Sequence, residues 1–281
     1  MLYLDVPDHA AVNLAVVSAE ADRRIRNARG LVNSIMRRMA RERVDILARP
    51  EAARLNAPDW MMARWAAFYG DAIAGQLAQA HLTRPALDLS TGGDAAEIAE
   101  LTGGLLLPTG TIRVADAGRV SELPGYADGK WWVQDAAAAL PARLIDASPG
   151  KRIADLCAAP GGKTAQFAAT GAEVTAVDLS ANRLKRLAVK LGRLKLAANT
   201  ICADILRWPE DASDDDLFDA VLLDAPCTAT GTIRRHPDIA RLKREADIKT
   251  LAELQARLLA HVADRVRPGG QLVYCLSLIH I

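Results

Sequence analysis

The chain has 281 residues, of which 51% are hydrophobic, so it can bury two or three compact cores and is not a disordered protein. Its formal net charge is +1, which excludes a uniformly basic surface. Any contact with nucleic acid must therefore come from local basic patches.

The four cysteines are scattered and form no C-x-x-C pair, which argues against a disulfide framework and against a zinc site. We expect no bound metal. The apolar runs are too short to span a membrane, and the first residues show no signal-peptide pattern. We therefore expect a monomeric cytoplasmic protein that does not contact membranes.

Residues 8–47 carry apolar positions at helical spacing, which predicts two or more amphipathic helices. The same stretch is rich in arginine. Two interpretations of these arginines stay open, a solvated helix face or a contact with RNA phosphates. The arginines of this stretch are Arg23, Arg24, Arg26, Arg29, Arg37, Arg38, Arg41 and Arg43.

The pattern changes twice between residues 49 and 130. Arg49-Pro50 marks a boundary, because proline disfavours helix in the residue before it. A helix with Trp60, Met61, Trp65 and Phe68 on its apolar face follows, and we expect the tryptophans and the methionine to be core. From about residue 84, short β-like runs broken by turns predict a small α/β subdomain.

From Arg152 onward, short apolar strands alternate with helices, which predicts a parallel, doubly wound sheet. An alanine-rich helix over 136–144 precedes the first strand. A long amphipathic helix over 248–266, ended by Arg267-Pro268-Gly269-Gly270, precedes a fifth strand over 271–275.

A glycine-rich turn joins the first strand of this sheet to its helix. Residues 155–164 read Asp-Leu-Cys-Ala-Ala-Pro-Gly-Gly-Lys-Thr. Glycine allows the backbone to approach a ligand closely, so the turn is typical of a nucleotide site. Its spacing matches neither a Walker A loop nor G-x-G-x-x-G, and a tight connection without a ligand stays open as an alternative.

Three later strands each end at an aspartate: Asp178, Asp204 and Asp224. Open α/β sheets bind ligands at the carboxyl ends of their strands, and an acidic residue roughly 20 residues past the glycines holds ribose hydroxyls in Rossmann-like sites. Asp178 is therefore predicted to bind a ribose. Each aspartate alone could instead cap the following helix or turn, but the repetition favours a shared site.

A Pro-Cys pair follows the third of these aspartates, in Asp224-Ala225-Pro226-Cys227-Thr228, and Gly231-Thr232 and Arg235-His236-Pro237-Asp238 come next. Together with Val177-Asp178 and the glycine-rich turn, these motifs resemble the RNA cytosine-5 methyltransferases of the Sun/Fmu (RsmB) type. The resemblance covers nearly the whole chain. Those enzymes use S-adenosylmethionine to methylate a cytosine of small-subunit ribosomal RNA.

The resemblance implies an α/β fold with three parts. Residues 1–48 correspond to part of a helical NusB-like RNA-binding domain, and residues 49–130 to linker helices and a small α/β subdomain. Residues 131–281 correspond to a Rossmann-like methyltransferase domain whose doubly wound, mostly parallel sheet is incomplete at its C-terminus. We expect a fragment truncated at both ends, whose last five or so residues depart from the family sequence.

The resemblance also implies the cofactor, S-adenosylmethionine, and the partner, ribosomal RNA. The residues that match the family's cofactor site are Cys157, Ala158, Ala159, Pro160, Gly161, Gly162, Lys163, Asp178, Asp204 and Asp224.

Two cysteines divide the chemistry in the family that the chain resembles. Carbon 5 of cytosine is a poor nucleophile, so a thiolate first adds to carbon 6. Cys227 matches the cysteine that assists product release, and Asp224 would contact the cytosine or the cofactor. The nucleophile is expected at position 277, where this chain has Ser277, whose hydroxyl is far less ionised than a thiol. Cys275 shares a strand face with position 277 but lies two residues early.

Three alternatives follow. The chain could be a non-catalytic fragment that binds cofactor and RNA. Cys227 could itself be the nucleophile, as in DNA cytosine methyltransferases, although the RNA-type glycine turn disfavours this. A nicotinamide-dependent dehydrogenase is disfavoured by the spacing of the turn and by the Pro-Cys pair.

Overall fold

The structure, a computed structural model, describes residues 6–48, 54–115, 117–209 and 217–278. The chain divides into two compact units. The first contains the described residues up to Pro85 together with Thr230–Glu245, and the second contains the described parts of Ala86–Ala229 and Ala246–Leu278. The three-part division expected from the sequence stays a prediction.

The first unit is helical. Its helices are α1 (Asp8–Ala21), α2 (Arg29–Arg41), α3 (Arg43–Leu47), α4 (Asp59–Tyr69), α5 (Asp71–Ala80) and α10 (Ile239–Leu242). Met61 and Trp65 of α4 are buried against Ala78 of α5 and Ile233, which confirms that they are core residues.

The second unit begins with a small antiparallel sheet. Its strands are β1 (Leu87–Ser90), β2 (Leu105–Leu106), β3 (Ile112–Val114) and β4 (Trp132–Val133), in the order β2-β3-β1-β4, with α6 (Ala95–Thr102) beside them. Alternating side chains such as Leu89 and Ile112 pack with Trp131 in one core. This sheet is the small α/β subdomain predicted from the sequence.

A larger parallel sheet forms the rest of the second unit. Its strands are β5 (Arg152–Leu156), β6 (Glu173–Asp178), β7 (Asn199–Cys202), β8 (Phe218–Asp224) and β9 (Val266–Cys275), in the order β7-β6-β5-β8-β9. Every pairing is parallel, so the carboxyl ends of all five strands lie at one edge. The helices of this part are α7 (Ala136–Ala139), α8 (Gly162–Ala169), α9 (Ala181–Leu194) and α11 (Ala246–Ala263).

Both faces of the large sheet are buried. On one face, Ala154, Val177 and Val221 pack with Leu258 and Val262 of α11. On the opposite face, helices α8 and α9 cover the other side chains of the same strands through Phe167 and Leu187. The sheet is therefore doubly wound, as the sequence predicted. Burial on both faces explains why its strands are nearly continuous apolar runs.

Two element boundaries differ from the sequence expectation. The helix predicted over 136–144 ends at Ala139, and a 3₁₀ turn over Pro141–Leu144 replaces its second half, since proline cannot donate a helical hydrogen bond. Residues 267–270, expected as a turn, lie inside β9, where a register shift between Phe218 and Ala220 accommodates Gly269 at a φ of +78°. No helix in the described part of the chain is long and apolar enough to cross a membrane.

Candidate active site

The glycine-rich turn, residues 157–163, leaves the carboxyl end of β5 and enters α8 through left-handed backbone. Cys157 has a φ of +61° and Gly161 a φ of +85°. A Cβ on Gly161 would lie 2.6 Å from Cγ of Leu187, so only glycine fits there. The Ala158 amide donates to the carbonyl of Val177 at 3.1 Å, which fastens the turn to β6.

Asp178, at the end of β6, clamps the turn from the other side and is almost fully buried. Its carboxylate accepts from the amide of Ala159 at 3.1 Å and from the amide of Ser180 at 2.9 Å. Arg183 of α9 pairs with it at 3.2 Å and also donates to the carbonyl of Ala159. Asp178 thus orders the backbone of the turn.

Asp204 and Asp224 stand in different surroundings. Asp204 follows β7, is exposed, and accepts from the amide of Leu206 at 3.1 Å, as a cap of a short 3₁₀ turn. Asp224 ends β8 and accepts from Nζ of Lys163 at 2.8 Å. The three aspartates predicted from the sequence therefore all lie at the carboxyl edge of the sheet. Asp178 also binds the backbone of the turn, and Asp204 also caps a 3₁₀ turn.

Lys163 keeps its charge although it is largely buried. Desolvation by burial lowers the pKa of Lys163. The charge of Asp224 and its hydrogen bond, with smaller contributions from Cys275 and Asp155, raise the pKa by more, so the net shift is upward. The ion pair therefore persists at neutral pH. It joins the first turn of α8 to the strand that precedes the Pro-Cys pair.

Asp155 is a site residue that the sequence did not single out. It is buried on β5, and its Oδ2 accepts from the hydroxyl of Thr164 at 2.5 Å. Its Oδ1 is buried without a hydrogen-bond partner. Burial raises the pKa of Asp155 to about 7, against the opposing effects of the Thr164 hydrogen bond and the Lys163 charge. The sequence signal that could have identified Asp155 is its position as an aspartate within an otherwise apolar strand.

The ends of β8 and β9 bring two of the cysteines close to this aspartate-lysine pair. Sγ of Cys275 lies 3.6 Å from Oδ1 of Asp224, and the carbonyl of Cys275 accepts from the amide of Ala225 at 3.2 Å. Cys227, three residues after Asp224, is half-buried, and its Sγ accepts from the amide of Ala229 at 3.3 Å. Ser277 follows two residues beyond β9 and is also half-buried.

The two cysteines nearest the carboxylates are poor nucleophiles in this structure. Burial, followed by the charge of Asp224, raises the pKa of Cys275 to about 12. Burial, followed by the charge of Asp178, likewise raises the pKa of Cys157 to about 12. Both thiols are protonated at neutral pH, and the thiolate is the reactive form. This environment disfavours Cys275 as a substitute nucleophile.

A family model described as "16S rRNA methyltransferase RsmB/F" matches residues 142–281, which include the whole parallel sheet. The chain belongs to this family. Its membership confirms the Sun/Fmu-type resemblance, the Rossmann-like fold class and the expectation of an S-adenosylmethionine-dependent methyltransferase domain.

Full-length relatives and solved structures agree with this assignment. The chain is 38% identical over 288 residues to the ribosomal RNA small subunit methyltransferase B of Serratia proteamaculans, and 37% identical over 288 residues to that of Vibrio cholerae. These alignments cover 98% and 97% of the chain but only 66% and 65% of the relatives. A methyltransferase homolog from Pyrococcus horikoshii superposes with a TM-score of 0.67 at 26% identity, over 80% of this chain and 75% of the other.

Gln134 packs against the family's glycine-rich turn. Its side chain is buried, accepts from Nε1 of Trp132 at 2.8 Å and donates to Gln166 of α8 at 2.6 Å. A Cβ on Gly162 would lie 3.4 Å from its amide. Gln134 therefore supports the start of α8, whereas Trp131 and Trp132 are buried packing residues.

The motif Arg235-His236-Pro237-Asp238 lies in the first unit, ahead of α10. The neighbouring Arg234 donates to the hydroxyl of Thr83 at 3.0 Å within that unit. Among the N-terminal arginines, Arg24, Arg29 and Arg38 form ion pairs with Asp22, Glu20 and Glu42. Part of the basic charge of this stretch is therefore offset by neighbouring carboxylates.

The described residues contain no group of three or more histidine, cysteine or acidic side chains that could hold a metal ion.

Proposed function

We propose that the second unit binds S-adenosylmethionine and belongs to an enzyme that methylates carbon 5 of a cytosine in small-subunit ribosomal RNA. The observation that carries this proposal is the Lys163–Asp224 ion pair, which joins the glycine-rich turn to the Pro-Cys segment at one sheet edge. Thiol-assisted methyl transfer requires the cofactor and a thiol to lie close together, and this ion pair joins the turn to the end of the strand that precedes Cys227. The chain spans 66% of the length of its relative from Serratia, which bears the name of a small-subunit methyltransferase.

The residues at this edge fit the cofactor chemically. S-adenosylmethionine offers hydroxyl and amino donors and a cationic sulfonium, and the edge presents the carboxylates of Asp204 and Asp224, with buried Asp178 beside the turn. Asp204, exposed and with only one oxygen engaged by its cap, has accepting capacity to offer a ligand. The residues that would hold the cofactor are those of the turn, 157–163, with Asp178, Asp204 and Asp224. When bound, the cofactor supplies the methyl group.

In the proposed reaction, protein side chains do the rest of the chemistry. A thiolate adds to carbon 6 of the cytosine, and the electron pair that this addition places at carbon 5 takes the methyl group. A base then removes the proton from carbon 5, and the thiolate leaves as the ring double bond re-forms. Asp224 would orient the cytosine or the cofactor, and Cys227 would assist release of the product.

The position expected to carry the attacking thiol is occupied by Ser277. A serine hydroxyl ionises far less readily than a thiol near neutral pH, so this chain is expected to bind cofactor and RNA without completing the reaction. A non-catalytic cofactor- and RNA-binding role is therefore the second candidate function, and the serine is the observation that favours it.

A covalent trap separates these possibilities. RNA that carries 5-fluorocytidine cannot lose a proton from carbon 5, so the thiol that attacks stays attached to it. We expect no adduct with the unaltered chain and an adduct at position 277 in the Ser277→Cys variant when S-adenosylmethionine is present. Cys202→Ser, which alters an exposed cysteine outside the site, is the control. An adduct at Cys227 in the unaltered chain would contradict the proposed division of roles.

A further inference from the structure

Two consecutive side-chain hydrogen bonds connect Tyr274 and Gln255 to the Pro-Cys segment, and neither of these two residues belongs to the family motifs. Gln255 of α11 donates from Nε2 to the carbonyl of Pro226 at 2.7 Å. The hydroxyl of Tyr274, on β9, donates to Oε1 of the same glutamine at 3.1 Å. All three residues belong to the second unit.

The carbonyl of Pro226 belongs to the peptide bond that precedes Cys227. Because a peptide bond is planar, fixing its carbonyl also fixes the direction of the Cys227 amide and the position of the Cys227 Cα relative to it. The segment is held at two further points, where Ala225 donates to the carbonyl of Cys275 at 3.2 Å and Ala229 donates to Sγ of Cys227 at 3.3 Å. Of these three anchors, the Gln255 contact is the one made by a side chain of another helix.

The hydroxyl of Tyr274 supports the Gln255 amide in the orientation that the carbonyl of Pro226 requires. A phenolic hydroxyl that donates to Oε1 leaves the NH₂ group directed to the carbonyl of Pro226, whereas the flipped amide would place two acceptors against each other. Burial, followed by the charges of Cys227 and Cys275, raises the pKa of Tyr274, so its hydroxyl keeps the proton that it donates.

We propose that Gln255 is a positioning residue for Cys227, aligned by Tyr274, and that the pair sets the reactivity of the Cys227 thiol. The meaning of this role for product release rests on the proposed function. An N–H donor at sulfur stabilises a thiolate, so a segment released from Gln255 loses the alignment between Ala229 and Sγ, and the Cys227 thiol becomes less reactive.

The test uses neutral substitutions, which leave the charge near the sulfur unchanged. Gln255→Met keeps the length of the side chain and removes both hydrogen bonds, and Tyr274→Phe removes only the hydroxyl that aligns the amide. Glu253→Met, on an exposed position of the same helix, is the control. The rate of alkylation by iodoacetamide is measured at each cysteine by peptide mass spectrometry between pH 6 and 9.5, with exposed Cys202 as the internal reference.

We expect Gln255→Met to slow alkylation of Cys227 at pH 7.5 at least threefold and to move its pH profile upward, with Cys202 unchanged. Tyr274→Phe should act in the same direction by a smaller factor, and the double variant should be no slower than Gln255→Met, since both residues act through one contact. An unchanged Cys227 profile in Gln255→Met, or in Tyr274→Phe if the first variant does not fold, would overturn the proposal.

Calorimetry with S-adenosylmethionine on the same samples separates this inference from the proposed function. Unchanged cofactor affinity in Gln255→Met, together with the altered Cys227 profile, supports a positioning role. A lowered melting temperature with an unaltered Cys227 profile shows a structural contact only and overturns it. Failure of the unaltered chain to bind the cofactor would count against the proposed function, not against the Gln255–Cys227 relationship.

Discussion

Lys163, one residue inside α8, reaches Asp224 at the end of β8 across 2.8 Å, and both side chains are mostly shielded from solvent. The glycine-rich turn and the Pro-Cys segment lie more than sixty residues apart in the chain, and this contact is a direct charged link between them. Cys275 lies against the same carboxylate. The ion pair therefore links two elements of the candidate site.

Replacing Lys163 with methionine should destabilise the protein. Asp224 would lose its charged donor while staying partly buried, and we expect the free energy of unfolding to fall by about 1–3 kcal/mol. Urea denaturation measures this change. Lys185→Met, at an exposed position of α9, is the matched control. Equal stability of the two variants would show that the ion pair contributes nothing measurable.

Replacing Asp178 with asparagine should weaken cofactor binding. The amide would turn an NH₂ group toward one of the two backbone donors that the carboxylate now accepts, at Ala159 and Ser180, and the turn would shift. We expect S-adenosylmethionine to bind at least about tenfold more weakly, which corresponds to about 1.4 kcal/mol. Calorimetry measures the affinity, with Asp94→Asn at the start of α6 as control. An unchanged dissociation constant would remove Asp178 from the cofactor site.

Asp155 should make the stability of the protein depend on pH. In the folded protein its carboxyl holds a proton up to about pH 7, whereas the unfolded chain releases it near pH 3.8. Between these values the folded state binds more protons, so this group's contribution to the free energy of unfolding falls as the pH rises.

The neutral variant Asp155→Asn lacks this dependence. Its melting temperature relative to the unaltered protein should therefore be higher at pH 8 than at pH 5.5. Thr164→Val, which removes the hydroxyl donor to the same carboxylate, is the companion variant. If the difference in melting temperature between Asp155→Asn and the unaltered protein is the same at both pH values, the pKa of Asp155 is not raised.

The cysteines should differ sharply in reactivity. Cys275 and Cys157, each with a pKa of about 12, should resist iodoacetamide at pH 8, while the exposed Cys202 reacts. Peptide mass spectrometry after timed exposure measures the order. Fast alkylation of Cys275 in the folded protein would show that it can supply a thiolate, and it would restore Cys275 as a candidate nucleophile.

Much of this site could be predicted from the sequence because its residues sit at strand ends. The period of the apolar runs predicted the parallel sheet, and a parallel sheet necessarily brings Asp178, Asp204 and Asp224 to one edge. The glycine-rich turn was equally predictable, since Gly161 has a positive φ and no room for a Cβ.

The remaining features depend on side-chain contacts that no periodicity reveals. Gln255 read as one polar residue on an amphipathic helix, and its contact with Pro226 depends on how α11 packs against the sheet. The hydrogen bond between Thr164 and Asp155 joins the two residues that flank the turn, but no sequence motif indicates it. The start of β9 was not predicted because residues 267–270 have a composition typical of a turn. A register shift in the pairing with β8 allows them to lie within the strand.

The central proposal is that the chain binds S-adenosylmethionine although position 277 carries a serine where a thiol is expected. The most direct measurement is calorimetric titration of the unaltered protein with S-adenosylmethionine, paired with a methyl-transfer assay on unmodified small-subunit ribosomal RNA. The account predicts saturable binding at one site per chain and no methyl transfer. Absence of binding would contradict the assignment of the turn and its aspartates, and methyl transfer would show that Cys227 or Cys275 attacks, in contradiction to the role assigned to position 277.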